Sequence, residues 1–206
     1  MEMTTALWSF ALVVGLLTLT PGLDTALVLR TSALGERRQA WGVVLGIQTG
    51  TLIWGTLTSA GVTALLTASA LAYEILRWAG AAYLVWMGIG MLRNRGGGAE
   101  PERAPAGGGF RSGWRRGTLT NLLNPKVGVF YVAVLPQFIP AGAPHFAAGV
   151  ALTGVHVVEG MLWSAVLVGF ARVVRGWLSR PAARRLLDRV TGAVVVGFGL
   201  RLALAE

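Results

Sequence analysis

Few side chains in this sequence can carry chemistry, and those that can stand beside helix breakers. Asp24 lies in the run Thr20-Pro21-Gly22-Leu23-Asp24-Thr25, inside an otherwise apolar segment. Proline removes a backbone donor and clashes with the preceding turn, and glycine lowers helix propensity. The pair therefore frees carbonyls and amides where only protein or a water-filled cavity can satisfy them. A half-helix starting near Asp24 presents N-terminal amides suited to a carboxylate. Asp24 itself suits an ammonium group or a proton. The plainer alternative is a kink with Asp24 capping the new helix. The expense of a carboxylate inside an apolar span favours a functional role.

A second break, Asn124-Pro125-Lys126, lies about half of the 206 residues further on. Asn124 can cap a helix that has Pro125 at its first position. Lys126 then falls in the first turn, where the dipole disfavours a cation. Its charge needs compensation, from a substrate carboxylate or from Asp24. The alternative is a lysine snorkelling to the interface. His156 and Glu159 are three apart on one helix face and suit a proton relay, or simply each other. Gln48, next to Thr49, sits beside the ladder Gly42, Gly46, Gly50, whose spacing suits close helix contact.

The candidate substrate-binding residues are thus Pro21, Gly22, Asp24, Thr25, Gln48, Asn124, Pro125 and Lys126. The amides after Pro21 and Pro125, with Lys126, would hold a carboxylate. Asp24, His156 and Glu159 are the candidate proton-coupling residues. No catalytic residue, metal site or cofactor is expected. Cysteine is absent, and His156 with Glu159 makes a poor metal site. Hydrolase motifs such as Gly-x-Ser-x-Gly are missing, and His156 and Ser164 are separated by roughly 12 Å of helical rise. The chain does not read as an enzyme.

These residues need a scaffold, and composition says which kind. The chain is 54% hydrophobic and 13% charged, with a mean hydropathy of +0.61, whereas soluble domains carry about 25% charged residues. Long continuous apolar runs predict helices, not a barrel, in a polytopic membrane protein. Six spans are expected: Leu7 to Leu34, broken at Pro21; Trp41 to Leu66; Ile75 to Leu92; Leu119 to Phe138, broken at Pro125; Phe146 to Val174; and Leu186 to Leu204.

The net charge of +9 is a topology signal. Most of the basic residues fall in the loops between spans one and two, three and four, and five and six. By the positive-inside bias those loops are cytoplasmic and both termini lie outside. Nucleic acid is excluded as a partner, while anionic lipid headgroups are natural neighbours. The Gly- and Pro-rich stretch from Arg93 to Gly109 reads as a flexible linker. It splits the chain into a three-helix repeat (1–92), a cytoplasmic linker with an interfacial segment (93–117) and a second three-helix repeat (118–206). Three is odd, so the second repeat enters the membrane inverted. Broken helices at matching places in two inverted halves mark a transporter's binding site. A homodimer is compatible with this plan.

The motifs also resemble a known family. Pro21-Gly22-Leu23-Asp24-Thr25, Gly46-Ile47-Gln48-Thr49-Gly50 with Trp54, and Gly80-Ala81-Ala82-Tyr83-Leu84 with Trp86 and Gly88 come in sequence. Phe110-Arg111-Ser112-Gly113, Asn121-Leu122-Leu123-Asn124-Pro125-Lys126, Pro136-Gln137-Phe138 and Thr191-Gly192 to Arg201 follow. In this order and spacing they resemble the LysE/RhtB-type amino-acid exporters, nearly end to end. The family usually has a second proline where Leu23 stands and often a lysine at the position of Arg77. The resemblance implies proton-driven export of an amino acid or close derivative across the bacterial cytoplasmic membrane. Some relatives are associated with metal cations, so export of a metal cation or another small solute is the alternative.

Overall fold

The apolar runs fold as helices in the computed structural model, which describes residues 2–33, 37–68, 70–93, 108–171, 173 and 180–204. In chain order these are α1 (Met3–Leu19), α2 (Leu23–Ala33), α3 (Arg37–Ala68), α4 (Ala70–Arg93), α5 (Gly109–Leu122), α6 (Pro125–Val129), α7 (His145–Gly169) and α8 (Pro181–Leu204). A π-helical turn, Phe130–Val134, and a 3-10 turn, Leu135–Phe138, follow α6. No strand occurs among the described residues. α3 and α7 each hold an apolar stretch long enough to cross a bilayer, and α1 with α2 makes a third if that bent pair is one span. Trp8, Leu12, Leu57 and Leu162 point outward, as expected where the surrounding solvent is lipid.

The helix interruptions have local causes. Thr20, before Pro21, is extended at φ −71° and ψ 119°, the conformation that a following proline imposes. α2 leaves α1 at a bend of 54°. Asn124, before Pro125, is likewise extended, and its side chain accepts a hydrogen bond from the Lys126 N–H at 3.1 Å. That is the expected cap. Pro136 removes the N–H that would continue the ladder, and the chain beyond α6 widens into the π turn and then tightens.

Lipid offers helices no hydrophobic reason to associate, so backbone approach and packing must hold them together. The glycine ladder on α3 does this against α5. A methyl group on Gly42 would collide with the Phe110 carbonyl oxygen, and one on Gly46 with that of Trp114. From the other side, methyls on Gly113 and Gly117 would collide with the carbonyls of Gln39 and Val43. Trp114 Nε1 donates to Thr49 Oγ1 at 3.1 Å, and Thr118 Oγ1 donates to the Gly46 carbonyl at 3.1 Å.

Phe110 to Gly117, expected as an interfacial segment ahead of a span at Leu119, is helical. It is the first half of α5, which runs unbroken to Leu122 because its glycines let it lie against α3. The linker itself, 94–107, lies outside the described residues, as do 172 and 174–179, which carry several of the arginines used for orientation.

Elsewhere, α3 also packs along α7, and α4 along α8. One core cluster joins α1, the π turn and α7 through Phe10, Val14, Phe130, Tyr131 and Leu152. Another joins α2, α3 and α7 through Val28, Val43, Val44 and Leu167.

Candidate functional site

Both breaks open onto one small cavity of about 70 Å³. Each water needs roughly 10–15 Å³ on this measure, so it holds a few waters in this conformation. Gly22, Asp24 and Thr25 line it from the first break, and Asn121, Asn124 and Lys126 from the second. Gln48 and Thr51 enter from α3, and His156, Trp163 and Ser164 from α7. Val28, Ile47 and Leu167 supply apolar wall.

The Asp24 carboxylate has the Asn121 and Asn124 side chains beside it. Its Oδ2 accepts from Asn121 Nδ2 at 2.8 Å, while Oδ1 is buried with no hydrogen-bond partner among the described residues. The Leu23, Asp24 and Thr25 amides precede the first bond of α2, which runs from the Ala26 N–H to the Gly22 carbonyl. A negative group can approach there.

Lys126 faces Asp24, as one sequence alternative expected, and also finds acceptors that neither alternative named. Its ammonium donates to the Leu17 carbonyl at 2.8 Å and the Thr20 carbonyl at 3.1 Å. Leu17 lies four residues before Pro21, so its natural helical donor is missing. The first break thus creates the acceptors that the lysine of the second break uses. The cation sits at the C-terminal end of α1, where the dipole favours it. Gly22 lies beside this crossing, where a methyl group would meet Lys126 Nζ at an ordinary contact distance of 3.8 Å.

The amides after Pro125 do not remain available as expected. The Lys126 N–H is taken by Asn124 Oδ1, and those of Val127 and Gly128 by the Asn124 carbonyl. Pro21 and Pro125 are not among the lining residues of the polar cavity. Pro125 instead borders a second cavity of about 370 Å³, walled by Trp54, Leu122, Leu123, Val129 and Val132.

His156 and Glu159 part company. His156 Nδ1 and the Tyr131 hydroxyl are hydrogen-bonded at 2.9 Å, and the two rings stack with centroids 5.7 Å apart. The π turn carries Tyr131, so the distortion after α6 fixes the imidazole at the cavity wall. Glu159 turns to α1, where Gly15 makes space. A methyl on Gly15 would lie 3.3 Å from Glu159 Oε2, and that oxygen has no hydrogen-bond partner among the described residues. The two side chains therefore do not form the directly paired relay that their spacing suggested.

Asn121, Thr51 and Ser164 were not singled out for the site by sequence reasoning. Asn121 had a visible signal, a buried-type polar residue one helical turn before the capping Asn124. Among the described residues no group of three His, Asp or Glu could hold a metal ion.

Comparison with known proteins places the chain among membrane efflux proteins. The chain is 34% identical over 204 residues to a homoserine/homoserine lactone efflux protein of Salmonella typhimurium, covering 97% of each chain. It is 28% identical over 206 residues to a leucine efflux protein of Enterobacter sp., covering 95% of this chain and 94% of the relative. It is 30% identical to an uncharacterized membrane protein of Vibrio cholerae, over 91% of each. No solved structure matches it significantly. A family model, the LysE type translocator, matches residues 6–206. The chain belongs to the LysE family of translocators, as an integral membrane protein and not an enzyme.

Proposed function

We propose that this translocator exports an amino acid or amino-acid derivative across the bacterial cytoplasmic membrane by proton antiport. The observation that carries the reading is the shared cavity, where an aspartate with one unpartnered oxygen and a lysine on backbone carbonyls face the same space. A zwitterion fits that pair. The substrate ammonium takes Asp24 Oδ1, and the substrate carboxylate takes Lys126 with the free amides at the start of α2. Gln48, Thr25 and Asn124 supply neutral polar contacts. Val28, Ile47 and Leu167 accept an aliphatic side chain. The names of the homoserine and leucine efflux relatives support this substrate class. A metal cation is disfavoured because the Lys126 ammonium would repel it.

Asp24 competes for a proton or a substrate ammonium, which couples the two. His156 and Glu159 serve proton movement separately, one at the cavity wall and one at the α1–α7 contact. Two inverted three-helix groups, with the basic loops cytoplasmic and both termini outside, would rock about this cavity to alternate access. The test is efflux from proteoliposomes of the full chain loaded with radiolabelled leucine or homoserine, with an inward proton gradient imposed across the membrane. Saturable efflux that a proton uncoupler slows is expected. Efflux of neither amino acid, or of either at a rate indifferent to the uncoupler, contradicts the reading.

A further inference from the structure

The π turn after α6 carries Tyr131, which is fully buried and is not among the residues lining the polar cavity. Its ring lies along that of His156, with centroids 5.7 Å apart and planes 18° from parallel, and its hydroxyl meets His156 Nδ1 at 2.9 Å. Phe130, from the same turn, sets its ring against the imidazole at a centroid distance of 6.0 Å and an angle of 70°. His156 does line the cavity. With Nδ1 taken by Tyr131, Nε2 is the nitrogen left for a ligand in that space.

The direction of the Tyr131–His156 bond follows from the two groups. A phenol gives up its proton more readily than a neutral imidazole N–H does, and an imidazole nitrogen accepts more strongly than a phenol oxygen. Tyr131 therefore donates to Nδ1. The proton of the neutral ring is then on Nε2, because the bond made by one ring nitrogen sets which tautomer the ring adopts. The same cavity already holds the Lys126 ammonium, which disfavours a second cation beside it.

We propose that Tyr131 is a positioning residue for His156, fixing the imidazole so that its Nε2–H donates to a carboxylate oxygen of the substrate. The π turn thereby links the second break to a hydrogen-bond donor on α7, an element outside both breaks. The inference rests on the cavity being the substrate site proposed above. It also narrows the part of His156 in proton movement: the ring takes up a proton only at Nδ1, once the Tyr131 hydroxyl has turned away.

The first arm of the experiment does not depend on substrate. The chain has two histidines, so the full chain carrying His145→Gln, purified on a tag without histidine, leaves His156 as the source of every imidazole signal. With histidine labelled on its ring nitrogens, NMR should show a proton bonded to Nε2 and a pyridine-type Nδ1 that accepts a hydrogen bond. Adding Tyr131→Phe should move the Nδ1 signal to that of an unbonded pyridine-type nitrogen. A proton on Nδ1 before that change, or an Nδ1 signal that Tyr131→Phe leaves unmoved, overturns the proposal.

The second arm measures binding of radiolabelled leucine or homoserine to the purified full chain, with each variant taken from its monodisperse fraction in gel filtration. Glutamine offers an amide N–H near where the imidazole carries Nε2–H. His156→Gln should therefore bind within about threefold of wild type, and His156→Phe about tenfold more weakly. Tyr131→Phe should weaken binding about threefold when His156 is present and leave it unchanged in His156→Gln, since an amide has no tautomer to fix. Equal losses from Tyr131→Phe in both backgrounds reduce Tyr131 to a packing role and overturn the proposal, as does equal weakening in His156→Gln and His156→Phe. If neither amino acid binds but NMR shows Nε2–H with a bonded Nδ1, the substrate assignment has failed and the hold of Tyr131 on the ring stands.

Discussion

At the first break α1 stops at Leu19, the chain bends by 54°, and α2 restarts at Leu23. Besides the open amides of α2, it delivers acceptors to the cavity: the Leu17 and Thr20 carbonyls and the Asp24 carboxylate. At the second break α5 stops at Leu122 and α6 restarts at Pro125, with Asn124 capping it. What this one delivers is donors, the Lys126 ammonium and the Asn121 amide. The same device, a proline inside an apolar helix, has opposite consequences because the proline meets different neighbours. Pro21 strips the Leu17 carbonyl of its donor, while Asn124 satisfies the backbone after Pro125 and leaves the Lys126 side chain to reach across. Each break is completed by the other. Neither would be tolerated alone in a low-dielectric setting, where unpaired polar groups are costly.

Breaking that reciprocity at the lysine should have the largest effect. Lys126→Met leaves two carbonyls without their donor and Asp24 without its nearby cation. Removing one partner of a buried charge pair costs about 3–5 kcal/mol. Efflux from proteoliposomes should fall by at least about a hundredfold, with a lowered unfolding temperature in detergent. Transport within about tenfold of wild type would mean that the first break does not need the second.

A smaller effect tests the second break by itself. Asn124→Ala removes the cap on α6, and loss of such a cap costs about 1 kcal/mol. For a chain of this size that is about 2–4 °C in unfolding temperature. Because the Lys126 side chain still reaches α1, transport should fall only about threefold. A loss as deep as that of Lys126→Met would show that the cap, and not the ammonium, holds the two breaks together.

Much of this arrangement was legible in the residues themselves. Pro21 and Pro125 marked both interruptions, Asn124 its role as a cap, and Gly42, Gly46 and Gly50 a close helix contact. The partner in that contact was not legible. Gly113 and Gly117 lie among arginines, and only their backbone approach to α3 shows what that helix packs against. The Leu17 carbonyl could have been found by counting four residues back from Pro21. That Lys126 would reach it could not, because the two are 109 residues apart. The His156–Glu159 spacing misled for a related reason. Sharing a helix face does not fix where side chains end, and here Tyr131 claims one while the space at Gly15 takes the other.

The central claim is that the two breaks form one site that reads both ends of a zwitterion. It is tested most directly by binding to the purified full chain, comparing leucine and homoserine with analogues lacking either the amino or the carboxyl group. Wild-type protein should bind at least one intact amino acid about a hundredfold more tightly than either of its analogues. Asp24→Asn should lose most of its affinity for that amino acid while binding the deamino analogue as wild type does. Equal losses for all three ligands in Asp24→Asn, or no preference for the intact amino acid in wild-type protein, would contradict the account.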